Sequence, residues 1–403
     1  MPEWEMMAAI GSGEAGTVGT RYSAPLGALI DAATEVNAQI LARGTYTRAN
    51  FFAVATAVTG TVVISSRKNS GAGAMSLSIT ATGITEDTTN SDSLVDGDLF
   101  NDEWVLGAGE ALTLTVLGST LDGTGNIPII GSYSFSSINF GVTRFSSLVG
   151  SFANEQTTEA SRHFTVNTAA TYSNFRGYVS QYSLNSGNSV TTLRKNAADA
   201  GPSLTFTAVS AVEDTTNTAT YAAGDEAAVQ TVNGGTSGTV GYNSVQTKSN
   251  AIERPLFSSS LANTGITADA YVAAEGRLVS TATESQTQKT ARSSFTAKNM
   301  QVNVTTGTTT NPATIYLRKN GANSALEVAV PNSTTGIVMN TTDSDTFVDG
   351  DEYNYFVDHT GDNITLYNIG FELEPTALGG HPTMRRWGGV HNMARTSRQR
   401  RGW

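Results

Sequence analysis

Residues 313–330 read ATIYLRKNGANSALEVAV, and they carry the clearest secondary-structure pattern in the chain. The first seven residues are rich in β-branched and aromatic side chains, and in the last seven the large apolar Leu326, Val328 and Val330 alternate with small or charged residues. Such alternation is typical of half-buried strands. The Asn320-Gly321 pair between the two halves favours a tight turn. The stretch is therefore predicted to form a β-hairpin.

The same hairpin sequence occurs three times in the chain. Arg67, Arg194 and Arg318 are each followed by Lys-Asn. Glu-Asp-Thr-Thr-Asn follows at 86–90 and 213–217, with Asn-Thr-Thr-Asp at 340–343, and a Gly-Asp pair then ends at residues 98, 225 and 351. Successive arginines lie 127 and 124 residues apart, and successive aspartates 127 and 126. Landmarks in one fixed order indicate an internal repeat.

The length of the repeat predicts the domain organisation. The step is far above the roughly 20 to 50 residues of solenoid and propeller repeats, so each copy is expected to be a complete domain with its own core. We expect three tandem jelly-roll-like β-sandwich domains at 1–126, 127–252 and 253–375. An irregular, basic C-terminal docking tail is predicted at 376–403. These three segments are called copies 1, 2 and 3 below.

Composition agrees with an all-β protein. Of the 403 residues 39% are hydrophobic and only 15% are charged, while Thr, Val and aromatic residues alternate with small polar ones. The chain has no cysteine, which removes disulfides, thiolate metal sites and cysteine nucleophiles together. The N-terminus does not resemble a signal peptide, and no apolar run approaches the roughly 20 residues of a membrane span. We therefore expect a protein that is made in the host cytoplasm and has no membrane partner.

Charge is divided unevenly along the chain. The net charge is −11, yet residues 376–403 contain six arginines and no Asp or Glu. The remaining 18 Lys and Arg against 35 Asp and Glu give the body a charge of −17. A body this acidic repels phosphate, so nucleic acid is not an expected partner.

The order of strand, LRKNG, strand, DT, GD and aromatic strand resembles the jelly-roll domains of the complement globular-head and tumour-necrosis-factor-like group, as they occur in tailed-phage virion structural proteins. The resemblance covers three copies and is best in residues 315–375. Ser66 and Ala197 depart from it, since copy 3 has Leu317 and Gly321 at those positions. The resemblance implies self-association, as a trimer or as a pseudo-trimer of the three copies.

The C-terminal tail resembles the short pegs by which phage structural proteins engage a neighbour. Arg and Trp often carry the energy of an interface, and a polar, Gly-rich segment orders only on its partner. A disordered segment that merely keeps the protein soluble is the alternative. The predicted partner-binding residues are Arg385, Arg386, Trp387, Arg395, Arg398, Arg400 and Arg401.

Two further sets of residues are candidates for sites. The hairpin arginines 67, 194 and 318 could line a shared threefold contact, or they could be solvated basic residues at a corner. Clustered aspartates could hold calcium, or they could be ordinary turn residues. The calcium candidates are Asp92, Asp96, Asp98, Asp345, Asp349 and Asp351.

The expected function is that of a virion structural protein of a tailed phage, as a capsid decoration, head-fibre or tail component. It would act by self-assembly and by docking to capsid, portal or tail proteins. No nucleophile elbow or metal-type histidine spacing is present, so we expect neither enzyme activity nor a cofactor. The alternative is a receptor-binding fibre head that recognises a host surface glycan or protein.

Overall fold

A computed structural model describes residues 3–29, 32–123, 130–151, 155–251, 253–306, 311–359, 361 and 363–376. Strand accounts for 64% of the chain and helix for 3%, so the protein is nearly all β, as the composition predicts. The only helices in this part of the chain are three short 3-10 helices, Glu35–Asn37, Glu159–Arg162 and Glu284–Gln286. None of the described helices has the length and hydropathy of a membrane span.

The described strands follow a common order in the three copies, although copy 3 has eleven of them and copies 1 and 2 have ten each. Those of copy 1 are β1 (Glu3–Ala15), β2 (Gly19–Ser23), β3 (Ile40–Leu41), β4 (Tyr46–Thr59), β5 (Val62–Lys68), β6 (Gly71–Ile79), β7 (Gly83–Asp87), β8 (Asp92–Leu94), β9 (Leu99–Leu106) and β10 (Ala111–Gly123). Those of copy 2 are β11 (Ile130–Asn139), β12 (Thr143–Ser146), β13 (Phe164–Val166), β14 (Ala170–Tyr182), β15 (Ser189–Lys195), β16 (Ala198–Phe206), β17 (Ser210–Asp214), β18 (Ala219–Tyr221), β19 (Asp225–Asn233) and β20 (Thr239–Ser249). Those of copy 3 are β21 (Arg254–Ile266), β22 (Ala270–Val272), β23 (Gly276–Arg277), β24 (Ser280–Thr281), β25 (Lys289–Thr290), β26 (Phe295–Thr306), β27 (Ala313–Lys319), β28 (Ala322–Val330), β29 (Gly336–Phe347), β30 (Glu352–Asp358) and β31 (Ile364–Pro375).

These strands are arranged as a six-blade β-propeller. Copy 1 supplies the sheets β1-β10-β4-β7 and β2-β9-β5-β6, and copy 2 supplies β11-β20-β14-β17 and β12-β19-β15-β16. Copy 3 supplies β21-β31-β26-β29 and β22-β30-β27-β28. The chain passes back and forth between the two blades of its copy, so neighbours in a blade are seldom neighbours in sequence. Each blade is thus complete only when the whole copy has folded.

The ring is closed by contacts between all three copies. Gln246 of copy 2 exchanges two hydrogen bonds with the backbone of Leu41 in copy 1, at 3.2 and 2.9 Å. Gln301 of copy 3 does the same with Thr165 of copy 2, at 2.8 and 2.9 Å. The short strand β23 then bridges β21 and β1, which joins the last copy to the first in one ten-stranded sheet.

The prediction of three tandem jelly-roll sandwiches is therefore wrong. The repeat length suggested one self-contained domain per copy, but each copy is divided over two blades and packs against both other copies. Phe52 and Val116 of copy 1 belong to the apolar cluster of copy 3, and Phe257 of copy 3 belongs to that of copy 2. Local alternation specifies strands and hairpins, whereas the side chains that bury copy against copy decide how the sheets are arranged. The domain boundaries stay a prediction.

The hairpin predicted for residues 313–330 forms in the structure. Lys319 pairs with Ala322, and the two residues between them, Asn320 and Gly321, have φ values of 51° and 77°. Positive φ at both positions is the signature of a type I′ turn. Ala313, Ile315 and Leu317 of β27 point into the core, while the residues between them face outward. Copy 3 therefore presents alternate residues of β27 on its outer face.

Candidate functional site

The repeated arginines hold the corners of the fold. The Nε of Arg67, Arg194 and Arg318 donates to Glu35, Glu159 and Glu284 at 3.0, 3.0 and 2.6 Å, and a second nitrogen bonds the same carboxylate. Each glutamate begins the 3-10 helix of its own copy. These bidentate pairs fix the hairpin to the helix in every copy. The contacts support a corner role, and a shared threefold contact stays a prediction.

Three of the predicted calcium ligands, Asp92, Asp98 and Asp351, accept hydrogen bonds from other residues of the protein. Asp98 accepts hydrogen bonds from Asn69 at 2.7 Å and from the Val95 backbone at 2.8 Å, and Asp351 repeats this arrangement in copy 3. Asp92 accepts the Ala74 N–H at 2.6 Å. The remaining candidates are Asp96, which pairs with Arg43 at 3.5 Å, and Asp345 and Asp349, which lie at or near the surface. In the described part of the chain, no three acidic or histidine side chains come together to hold a metal.

The predicted docking residues lie outside the described residues, which end at Thr376. These docking residues are Arg385, Arg386, Trp387, Arg395, Arg398, Arg400 and Arg401. The residues that immediately precede the tail, up to Thr376 at its start, are among the described residues. Pro375 pairs with Phe295, and the Thr376 N–H donates to the Ser294 carbonyl at 3.1 Å. The tail therefore leaves the propeller beside the start of β26.

The most distinctive surface is a row of aromatic residues on the outer face of copy 3. Tyr271, Phe356 and Tyr316 are partners in register on β22, β30 and β27. The ring centroids of Tyr271 and Phe356 are 5.0 Å apart with a tilt of 34°, and those of Phe356 and Tyr316 are 6.4 Å apart with a tilt of 21°. All three side chains are half-buried. We call these three residues the aromatic row.

Arg318, whose charge is compensated by Glu284, borders one side of the aromatic row. The guanidinium of Arg318 lies 5.6 Å from the ring centre of Tyr271 and 5.4 Å from that of Phe356. The same group is paired with Glu284. The opposite side is bordered by Thr314 and the exposed Asp358, which are cross-strand partners. The rings are thus held in place by stacking and lie between polar groups.

The other copies do not carry this row. At the same register positions copy 1 has Tyr22, Glu103 and Ser65, and copy 2 has Phe145, Gln230 and Thr192. The neighbouring register positions show the opposite polarity. Copy 1 has the apolar pair Val63 and Val105 there, whereas copy 3 has the polar pair Thr314 and Asp358. The outer face of copy 3 has therefore diverged from a scaffold that is otherwise repeated.

A polar cleft adjoins the aromatic row. Glu327 is the cross-strand partner of Tyr316 and continues the row onto β28. It also lines a cleft of about 350 Å³ between β28 and β29. The other lining residues are Val328, Ala329, Met339, Asn340, Thr341, Thr342 and Asp343. We call this depression the polar cleft.

The cleft wall is held by one side chain. Asn340 Oδ1 accepts hydrogen bonds from the backbone of Thr342 and Asp343 at 3.0 and 3.1 Å, and its Nδ2 donates to the Glu327 carbonyl at 2.8 Å. Asp87 and Asp214 close the same loop in copies 1 and 2. Burial raises the pKa of Asp87, but hydrogen bonds from Asn90, Ser76 and Thr89 outweigh it and lower that pKa to about 2. The cleft is thus preformed by a repeated loop.

A second cavity of about 390 Å³ lies between copies 2 and 3. It is lined by Thr158, Ala160, Ser161, Asn303, Val304, Thr305, Thr335, Gly336 and Tyr367. Beneath it Arg162 stacks on the ring of Tyr367 at 4.9 Å, and burial lowers the pKa of Arg162 to about 10. Burial also raises the pKa of Glu155 nearby. These side chains pack one copy against the next, which is a structural role.

Sequence reasoning found Arg318 but missed the aromatic row beside it. Tyr271, Tyr316 and Phe356 are far apart along the chain, and only the register of three strands brings them together. The signal that could have found them is a comparison of the copies, since copy 3 is aromatic where copies 1 and 2 have Ser65, Glu103, Thr192 and Gln230.

No protein-family model matches this chain, and no curated protein matches it. The resemblance to complement globular-head domains and to phage virion proteins therefore stays a prediction.

Proposed function

We propose that the protein is a non-enzymatic structural component of a virus particle, of the tailed-phage kind, that docks to other particle proteins through its tail. One observation carries the proposal: a body of charge −17 is followed by 28 residues with six arginines and no acid. Such a segment is drawn to an acidic surface on a partner, and Trp387 would anchor it there. Capsid, portal or tail proteins are the proposed partners.

The closed ring supports this role in two ways. Each copy is locked to both others by buried contacts such as those of Gln246 and Gln301, which makes a rigid body. The tail departs beside β26 at a fixed point on that body, so docking would set the orientation of the whole ring. Three copies closing within one chain favour a pseudo-trimer as the form of self-association.

Deletion of residues 376–403 tests the proposal. Particles assembled with the truncated chain should lack the protein, while the truncated chain should keep the melting temperature of the full-length protein. A chain in which the six arginines are replaced by lysines is the matched control, since it keeps the charge and loses only bidentate pairing. Full incorporation of the truncated chain would remove the docking role.

The second candidate is a receptor-binding role, and the aromatic row favours it. A row of half-buried rings on one copy alone, beside a preformed polar cleft, is typical of a surface that binds a ligand. Purified protein should then bind host cells and block infection. Binding that is unaffected when the aromatic row is changed would exclude this surface.

A further inference from the structure

The outer face of copy 3 has the shape and chemistry of a binding site for one class of molecule. We propose that the aromatic row and the polar cleft together bind a neutral, hydroxyl-rich polysaccharide. The proposal rests on the second candidate function and names its ligand. It is independent of docking through the tail.

The shape of the surface fits an extended chain. Tyr271, Phe356, Tyr316 and Glu327 occupy one cross-strand row on four adjacent strands. Strands in a sheet are spaced by about 4.8 Å, so this row spans about 14 Å. The polar cleft of about 350 Å³ continues it beyond Glu327. A linear polymer could therefore lie across the rings and enter the cleft at one end.

The chemistry of the row matches a sugar ring. A pyranose presents C–H groups on its faces and hydroxyls around its edge. The nearly parallel rings of Phe356 and Tyr316, with centroids 6.4 Å apart, are half-buried and leave apolar ring surface against which the C–H groups of a sugar can pack. Thr314, Asp358 and Glu327 lie around that surface and can accept or donate hydrogen bonds at the sugar edge. Small-molecule binding sites usually combine an apolar or aromatic surface with a few polar groups.

The charges of the surface disfavour an anionic ligand. Arg318 is already paired with Glu284, so its charge is compensated. Glu327, Asp343 and Asp358 add negative charge, and the described residues that line the cleft include no Lys or Arg. Stacked nucleic-acid bases would bring phosphates beside these carboxylates, which is unfavourable. A neutral polymer avoids this repulsion.

Copy 2 provides matched variants for the test. Tyr316→Thr and Phe356→Gln give copy 3 the residues that the same positions carry in copy 2, Thr192 and Gln230. These residues are accommodated on an equivalent strand, so the variants should fold. The control is Thr192→Ser in copy 2, which introduces the residue that copy 1 carries as Ser65.

Affinity electrophoresis of the full-length protein through gels containing dextran, galactomannan or alginate measures binding. We expect retardation by at least one of the two neutral polymers and none by the anionic alginate. Tyr316→Thr and Phe356→Gln should each weaken the retardation about tenfold in affinity, because each removes one stacked ring. Thr192→Ser should leave it unchanged.

Three results would overturn the proposal: no retardation by either neutral polymer, retardation by alginate alone, or full retardation of Tyr316→Thr with an unchanged melting temperature. Binding to host cells without binding to either neutral polymer would leave the receptor role standing and refute only its ligand. The chain lacking residues 376–403 should be retarded like the full-length protein. Loss of particle incorporation together with intact retardation would then separate docking from sugar binding.

Discussion

The buried ion pair of copy 1 gives the sharpest prediction about stability. Arg48 and Asp102 are 1% and 0% exposed, and an Arg48 terminal nitrogen donates to Asp102 Oδ1 at 2.7 Å. Arg48 also donates to Ser119 Oγ at 2.8 Å. Copy 2 carries Tyr172 and Val229 at the equivalent strand positions, so the same fold tolerates an apolar pair there. Copy 1 therefore keeps an ion pair that the architecture does not require.

Arg48→Ala should destabilise the protein by about 3–5 kcal/mol, because it leaves the Asp102 carboxylate buried without its partner. Burial already raises the pKa of Asp102, and Arg48 opposes that rise. Without Arg48 the carboxyl binds its proton more tightly in the folded than in the unfolded protein. Stability of the variant should therefore increase as the pH falls, and its deficit should be smaller at about pH 5 than at about pH 8.

The double variant Arg48→Tyr with Asp102→Val should recover most of the loss, because it replaces both charges with the pair found in copy 2. Urea unfolding followed by near-ultraviolet circular dichroism measures the free energy of each variant. The reasoning fails if Arg48→Ala costs less than about 1 kcal/mol, or if the double variant is no more stable than the single one.

Three smaller predictions concern the repeated corners. Ala197 has φ = 62° in the hairpin turn of copy 2, where copy 3 has Gly321. Because positive φ is strained for alanine, Ala197→Gly should stabilise the protein by about 1 kcal/mol in thermal melting, and Gly321→Ala should destabilise it. Asp87→Asn gives copy 1 the residue that copy 3 carries as Asn340. Since the pKa of Asp87 is lowered to about 2, the stability that its ionised carboxylate contributes is complete above about pH 4 and is lost as the pH falls through about 2. The variant should thus show a shallower loss of stability over that range, and an unchanged acid profile would contradict the assignment. Arg194→Lys should lose about 1–3 kcal/mol relative to wild type, since it cannot make both bonds to Glu159, and an equal unfolding midpoint would argue against a corner role.

The sequence pattern was sufficient to predict that the chain forms strands and hairpins. The strand at 313–319 and the Asn320-Gly321 turn follow from alternation and from turn chemistry, both of which act between near neighbours. The arrangement of the blades depends on contacts such as Leu41 with Gln246 and Thr165 with Gln301. These partners are far apart in sequence, and a lone Gln in a strand carries no sign of what it will bind. The pattern therefore predicted strands and hairpins but not the ring.

The same limit applies to the candidate site. The hairpin arginines were visible as repeats, yet their pairing with Glu35, Glu159 and Glu284 was not, because these residues meet only when the 3-10 helix packs on the hairpin. The aromatic row is a difference between copies, not a repeated feature. A search for what is shared among copies finds the scaffold, whereas a search for what differs finds the surface that could have acquired a function.

The junctions between copies show why this division holds. Arg43 of copy 1 pairs with Glu213 of copy 2, and Arg292 of copy 3 pairs with Glu86 of copy 1. At the third junction Thr168 instead bonds Glu372, at 3.1 Å. Since the three junctions differ, a copy cannot exchange places with another without leaving a buried or half-buried charge unpaired, which is costly. The arrangement of the copies around the ring is thereby specified. The aromatic row and the hydrogen bond of Thr376 to Ser294 both belong to the end of the chain that forms copy 3, so their relative position is set within that copy.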